Sequence, residues 1–316
     1  FGPAKNLKVE EMNEPIPNSD EVCIKVHAAG VNFPDILMVE GKYQVKPAFP
    51  FAPGAEAAGE IISIGDNVTK YKVGQRVIAM TGHGAFAEIV KASEKKLIPL
   101  NDNVDFETAS ILPMVYGTSA HALIQRGKLK KDETLLVHGA AGGVGLAAVE
   151  IGKAMGARVI ATASTDEKCQ VARDHGADET INYSNGQFKE IVKSMTDGKG
   201  ADVIYDPVGG DVFDQSLRCI AWEGRLLVVG FTSGRIPSAP ANLALLKSCD
   251  IVGVFWGAFV ERTPHINLEN FDKLYQWIDE GYIKPRISMK VSLENTLDAM
   301  QAIADRKIIG KAIVKI

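Results

Sequence analysis

The sequence predicts an α/β protein with two domains: one small and mostly antiparallel β, the other built on a parallel, doubly wound sheet. Three observations lead there. The chain has 316 residues, more than one small core usually organises. Its first third is a string of short apolar runs broken by Gly, Pro and Asn. From Glu133 onward, strand-like and helix-like stretches alternate, and one of the first junctions is rich in glycine.

In the first third, Val22 to Ala28, Glu60 to Ile64, Arg76 to Met80 and Ala85 to Val90 read as strands, with turn signals such as Gly65-Asp66-Asn67 between them. Glu107 to Arg126 reads as helix, interrupted at Pro113 and Gly117. The alternating part begins with the run Leu135-Leu136-Val137, the loop Gly139 to Gly145 and a helix to Met155. A strand at Arg158 to Ala161, a helix from Asp166 to His175 and a strand at Thr180-Ile181 follow. A helix from Phe188 to Met195, a strand at Val203 to Tyr205, a helix from Val212 to Ile220 and a strand at Leu226 to Val229 continue the rhythm. Ile251 to Val254 adds a further strand. The tail has a helix at Phe271 to Glu280, a strand at Ser288 to Val291, a helix at Leu293 to Ala304 and a strand at Ala312 to Val314. It is expected to rejoin the first domain, which sets the bounds at 1–115, 116–255 and 256–316.

Composition removes several classes of function. The formal net charge is −4, with no basic patch for nucleic acid or an anionic membrane. No run reaches the roughly 18 apolar residues of a membrane-spanning helix. Cys23, Cys169, Cys219 and Cys249 are isolated, so no CxxC metal or redox motif exists. Such cysteines, without a secretion signal, suit a reducing cytoplasm.

The loop His138-Gly-Ala-Ala-Gly-Gly-Val-Gly145 lies between a strand and a helix. Ala140-x-Gly142-x-x-Gly145 matches the dinucleotide fingerprint with its first glycine replaced. Gly142 lets backbone approach a pyrophosphate, and Gly145 lets the helix pack close to the sheet. Backbone N–H groups at Ala141, Gly142, Gly143 and Val144 would face the phosphates. The alternative is a tight structural turn. An NAD site wants an acid at the end of the second strand, yet that strand ends in Ala163-Ser164. Ser164 and Thr165 can donate hydrogen bonds, and Lys168 follows one turn later. That favours a 2′-phosphate, hence NADPH. Against it, Ser164-Thr-Asp-Glu167 is also a capping box with Ser164 as N-cap, Lys168 can be a surface lysine, and Asp166 and Glu167 repel a phosphate.

The stretch Pro53-Gly-Ala-Glu-Ala-Ala-Gly-Glu60 places Glu56 among small residues ahead of an apolar run, so its carboxylate is expected at or near the interior. It serves a metal, a proton transfer or the fold.

Across nearly its whole length the chain resembles the medium-chain dehydrogenase/reductase superfamily, in its zinc-free NADPH:quinone oxidoreductase branch. The resemblance rests on Gly30-Val-Asn-Phe-Pro-Asp35, Gly41-Lys-Tyr-Gln-Val-Lys-Pro47, the stretch around Glu56, the glycine loop and Asp206-Pro-Val-Gly-Gly210. Ala221-Trp-Glu-Gly224, Val229-Gly-Phe231 and Phe255-Trp-Gly257 extend it. It implies a GroES-like catalytic domain split around a Rossmann domain. Members open with a strand ahead of a segment like Phe1-Gly2-Pro3, so this sequence is expected to begin past that strand.

Zinc relatives carry a Cys where Asn32 stands, a His where Ala55 stands and a later Cys, while no cysteine lies between Phe106 and Gln125. The resemblance therefore implies no zinc, and it makes Glu56 the remainder of a metal-site scaffold, held for structure rather than proton transfer. It also implies that Asn32 faces the nicotinamide side of the cleft. Lys168 and Tyr183 would meet the 2′-phosphate. Gly230, Phe231, Phe255, Trp256 and Gly257 would line the nicotinamide end, and Lys311 would approach the pyrophosphate. Tyr183 can instead be a strand-end aromatic, and Phe255 and Trp256 can be core or dimer contacts, since the family commonly pairs subunits along that edge. Asn32 and Thr118 are candidate orienting hydrogen bonders. Tyr43 is the candidate proton donor, or else a cleft aromatic that stacks on the acceptor.

Without a metal to stabilise an alkoxide, hydride transfer to a quinone or conjugated enone is the expected reaction. Reduction of an enoyl thioester or 2-alkenal with Tyr43 as acid is the alternative. A third reading is an NADPH-binding structural or redox-responsive protein with incidental activity.

Overall fold

The computed structural model describes residues 1–316, apart from the side chain of Asn185. Its strands are β1 (Glu21–Val31), β2 (Glu56–Ile64), β3 (Arg76–Met80), β4 (Ile89–Ser93) and β5 (Leu97–Pro99), then β6 (Thr134–Val137), β7 (Arg158–Ala163), β8 (Glu179–Asn182), β9 (Ala201–Asp206), β10 (Ile220–Val228), β11 (Asp250–Gly253), β12 (Ile287–Ser292) and β13 (Lys311–Lys315). The chain divides into two compact units, Phe1–Met114 with Pro285–Ile316, and Val115–Lys284.

The first unit holds a sheet ordered β12-β13-β1-β2-β3-β5, with β4 also pairing with β1. All its pairs are antiparallel except β12 with β13. Alternate residues of β1, Val22, Ile24 and Val26, enter the core beside Ile61, Val77 and Val314. That period of two is why the segment is a strand, and each such side chain contributes about 1.5–3 kcal/mol on burial. The expected strand at 85–90 begins later, at Ile89. Ala85 and Phe86 instead donate their N–H groups to the carbonyls of Gly54 and Pro53, both at 3.0 Å, in a loop. The helix Phe33–Val39, not foreseen from the sequence, starts at Asn32 with Pro34 in its first turn.

The second unit holds a parallel sheet ordered β11-β10-β9-β6-β7-β8. Leu135, Leu136 and Val137 of β6 are fully buried. Helices cover both faces of such a sheet, so its central strands read as unbroken apolar runs. The order reverses between β6 and β9, and ligands of doubly wound sheets bind at such a switch point. The loop following β6 is the glycine loop.

The return to the first unit comes at Pro285, not at residue 256. The helices Trp256–Arg262 and Pro264–Asp279 stay with the second unit. There Phe259 stacks on His121 at 3.9 Å, and the amides of Gln125 and Asn270 exchange hydrogen bonds of 2.8 and 3.1 Å. Those pairs join residues more than a hundred positions apart, which periodicity cannot show.

Candidate active site

Glu56 is the first residue of β2 and is fully buried. Its Oε1 lies 3.1 Å from the Lys311 ammonium and accepts from Asn32 Nδ2 at 2.8 Å, while Oε2 accepts the Met114 N–H at 2.8 Å. Lys311 also donates to Asn32 Oδ1 at 2.6 Å and to the Val31 carbonyl at 3.0 Å. An ammonium only donates, so the Asn32 carbonyl must face Lys311 and its NH₂ must face Glu56 and the Gly30 carbonyl. Gly30 makes room for this cluster: a Cβ there would lie 2.3 Å from Glu56 Oε1. Buried charge is tolerable only when paired and hydrogen-bonded, and this set meets both conditions.

Lys311 was expected at the pyrophosphate. It is 5% exposed, and its three ammonium protons go to Glu56, Asn32 and Val31, so none is left for a phosphate. That reading is corrected: Lys311 is an internal counterion.

Asp35, which the sequence marks only as the end of the Gly30–Asp35 motif, belongs to the same cluster. It sits in the first turn of Phe33–Val39, and its Oδ2 accepts the Asn32 N–H at 2.7 Å. Its Oδ1 has no hydrogen-bond partner among the described residues, although the Gly54 N–H acts on the carboxylate from outside hydrogen-bond geometry. Burial pushes its pKa up to about 7, against the pull of the Asn32 N–H and of Lys311. The spacing Asn32-x-x-Asp35, a capping pattern, was the available signal. Tyr43 is half-buried, and burial together with the Asp35 charge raises its pKa, so the phenol keeps its proton at neutral pH. Its hydroxyl has no protein partner among the described residues and is free to donate.

In the second unit, β6 runs into a loop that hugs the next helix. Gly139 has φ +58°, and a Cβ at Gly145 would lie 2.3 Å from the Gly139 carbonyl oxygen, so the close approach needs glycine. The helix Gly143–Ala154 starts behind Gly142 with no side-chain cap. The Gly142 N–H is spent on the Gly139 carbonyl at 2.9 Å, so the N–H groups without an intrahelical acceptor at this helix start are those of Gly143 and Val144, beside Ala141 and Gly142. His138, which the sequence reading did not single out, stands just ahead of this loop and ties β7 to the helix Gly210–Cys219. Its ring nitrogens lie 2.9 Å from Thr162 Oγ1 and 2.9 Å from Ser216 Oγ. Ser216 gives its own proton to the Val212 carbonyl, so Nε2 carries the imidazole proton and Nδ1 accepts from Thr162. Burial pulls the His138 pKa down to about 3, so the ring is neutral.

At the end of β7, the cap of the helix Asp166–Asp174 is Thr165, whose hydroxyl accepts the Lys168 N–H at 3.2 Å. The expected cap was Ser164, one residue earlier; the half-buried Ser164 takes no part in the cap. The β7–β8 register sets Ala163 against Asn182, so Ser164 and Tyr183 leave the sheet side by side, with Lys168 one turn on.

Gly230 and Phe231 follow β10, and the Phe231 ring, 39% exposed, packs against Gly209. Phe255 and Gly257 are exposed beyond β11. Thr118 is half-buried and opens the turn Thr118–Ala120. Trp256 differs from its neighbours. It is 7% exposed, its indole N–H donates to Asn267 Oδ1 at 3.0 Å, and its ring lies against Gly117. Of the readings open for Trp256, the structure places it in the core, not on a ligand-facing loop. The loops after β6, β7, β8, β10 and β11 all leave the carboxyl edge of the parallel sheet.

The residues present do not fit a catalytic zinc. Asn32 and Ala55 stand where ligands would be needed, and an ammonium already neutralises Glu56. Among the described residues no group of three His, Cys, Asp or Glu is placed to hold a metal ion.

The zinc-binding dehydrogenase profile matches residues 143–275, and the alcohol dehydrogenase GroES-like domain profile matches residues 18–102. The quinone oxidoreductase-like protein 2 homolog of Nematostella vectensis is 41% identical over 94% of this chain and 82% of its own length. The chain belongs to the quinone oxidoreductase family of zinc-binding dehydrogenases. The family fold is a GroES-like domain with a Rossmann domain, as the two sheets show. Escherichia coli quinone oxidoreductase complexed with NADPH superposes with a TM-score of 0.91 at 30% identity, covering 100% of this chain and 97% of that one. CurK enoyl reductase superposes with a TM-score of 0.89 at 26% identity, covering 100% and 96%. An oxidoreductase with a nicotinamide site is the coarse function these relationships establish.

Proposed function

We propose that this family member is a zinc-independent reductase that moves hydride from NADPH to a quinone or related conjugated enone. The observation that carries the zinc-independent part is the Lys311 ammonium on Glu56 and Asn32, a fixed positive charge in place of a metal ligand set. The open helix start at Gly143, and the absence of an acid at the end of β7, support NADPH.

NADPH, when bound, supplies the hydride. The N–H groups of Gly143 and Val144, with the backbone of Ala141 and Gly142 close by, hold the pyrophosphate, and Ser164, Lys168 and Tyr183 form the 2′-phosphate edge. Thr118, Gly230, Phe231, Phe255 and Gly257 shape the nicotinamide end. Asn32, held rigid by Lys311, orients the reacting groups. A quinone that takes one hydride and one proton becomes a hydroquinone, and the proton can come from water.

A second reading has its own observation. Tyr43 keeps its proton and has no protein acceptor among the described residues, which suits delivery of that proton to the α-carbon of an enoyl thioester or 2-alkenal after hydride adds at the β-carbon.

The edge strand β11 is apolar and open. Ile251 is 37% exposed, and Leu245 and Leu246 on the preceding helix are 77% and 64% exposed. A second copy of the chain pairing there would make a homodimer, and light scattering would report its mass. A cytoplasmic location belongs to the same proposal and fits four free, buried cysteines.

The test is NADPH oxidation followed against a panel of quinones, enones and enoyl thioesters. Turnover of quinones that survives Tyr43→Phe supports the first reading. Thioester turnover lost in that variant supports the second, and binding of NADPH with no turnover of any acceptor removes both.

A further inference from the structure

Asp166 is an acid near the nucleotide edge that the sequence alone reads, with Glu167, as part of a capping box that repels a phosphate. It is the first residue of the helix after β7, three positions past Ala163. An NAD-type site wants a carboxylate close to that strand end to accept the ribose hydroxyls. In this chain the carboxylate is held elsewhere. Asn182, the last residue of β8, donates from Nδ2 to Asp166 Oδ1 at 2.8 Å. The Asn182 amide cannot turn round, because its Oδ1 accepts the Ser184 N–H at 3.1 Å. A flipped amide would set NH₂ against N–H and carbonyl against carboxylate. One side chain thus fixes two things: the direction of the Asp166 carboxylate, and the turn Tyr183–Asn185 that carries Tyr183.

We propose that Asn182 is a positioning residue that sets nucleotide preference, by drawing the Asp166 carboxylate onto the end of β8 and leaving the edge beside Ser164 and Lys168 open to a phosphate. The inference rests on the NADPH reading above. Released from Asn182, Asp166 can swing toward the ribose, accept its 2′-hydroxyl and repel a 2′-phosphate. A neutral amide does not cancel the carboxylate charge, so the effect is one of direction and distance, and Asp166 must be present for it to appear.

A double-mutant cycle separates this from general damage. The Kd of NADPH and of NADH is measured by calorimetry on the purified wild-type chain, Asn182→Ala, Asp166→Asn and the double variant. Wild type is expected to favour NADPH, and Asn182→Ala to lower that preference about tenfold, through one like charge brought close to a partly exposed phosphate. In the Asp166→Asn background, Asn182→Ala should lower the preference clearly less, the remainder reporting the loss of the Ser184 N–H bond that holds the turn carrying Tyr183. Asn182→Ala weakening both nucleotides alike, or lowering the preference equally without Asp166, would overturn the proposal. A wild type that binds both nucleotides equally overturns it too. A wild type that binds neither brings down the NADPH reading itself, and this inference with it.

Discussion

Each of the two units holds a buried polar network, and the two are built on opposite principles. Around Glu56 the network is ionic: a carboxylate and an ammonium, an amide locked between them, and Asp35 at the margin. Around His138 it is neutral: an imidazole between two hydroxyls, with every proton assigned. The difference teaches what each network has to hold. Next to the proposed phosphate-binding loop, a neutral scaffold fixes shape without adding a charge that would compete for an anion. The Glu56 network instead holds an internal ion pair, with the Lys311 ammonium on Glu56 and Asn32 bonded to both.

The two networks should respond to pH with opposite sign. His138 has a folded pKa of about 3 against an ordinary 6.5, so its stabilisation is complete above 6.5 and is lost as pH falls toward 3. At about 1.4 kcal/mol per pKa unit, that loss is on the order of 5 kcal/mol. Denaturant titrations of His138→Gln across this range should show a flattened acid limb. An unchanged limb would mean that His138 is not buried neutral.

Lys311→Met attacks the ionic network directly. It leaves Glu56 buried and unpaired, and removing one partner of such a pair costs roughly 3–5 kcal/mol. Adding Glu56→Gln should recover part of that loss, because no charge is then stranded. If the single variant is as stable as wild type, the ion pair is not as buried as the structure shows.

Asp35 gives the opposite slope. Its folded pKa of about 7 lies above the ordinary 3.8, so its contribution is complete below 3.8 and is lost as pH rises through 7. The span corresponds to about 4 kcal/mol. Asp35→Asn, which cannot ionise, should remove the decline between pH 4 and 7. A decline that persists in the variant would assign it to another group.

The same comparison shows what could be read in advance. The glycine loop was legible because its residues are contiguous and their spacing is tied to a strand and a helix. The alternation around β6 to β10 was legible because central parallel strands are apolar throughout. The burial of Glu56 could be expected from the small residues beside it. Its partners could not, because Asn32, Met114 and Lys311 come from distant parts of the chain: the antiparallel pairing of β1 with β2 and β13 brings Asn32 and Lys311 to it, and Met114 comes from the segment Leu112–Gly117, outside those strands. Lys311 was misassigned for that reason. Trp256 looked like its exposed neighbours until the long helix Pro264–Asp279 supplied Asn267 for its indole. Ser164 and Thr165 are both good caps, and only the backbone decides between them.

The central claim is that a lysine, not a metal, supplies the fixed positive charge of this site. It is tested most directly by quinone-dependent NADPH oxidation on protein of measured metal content, before and after exhaustive chelation. The account predicts a rate that chelation leaves unchanged, on protein without stoichiometric zinc. A rate that falls on chelation and returns with added zinc would contradict it.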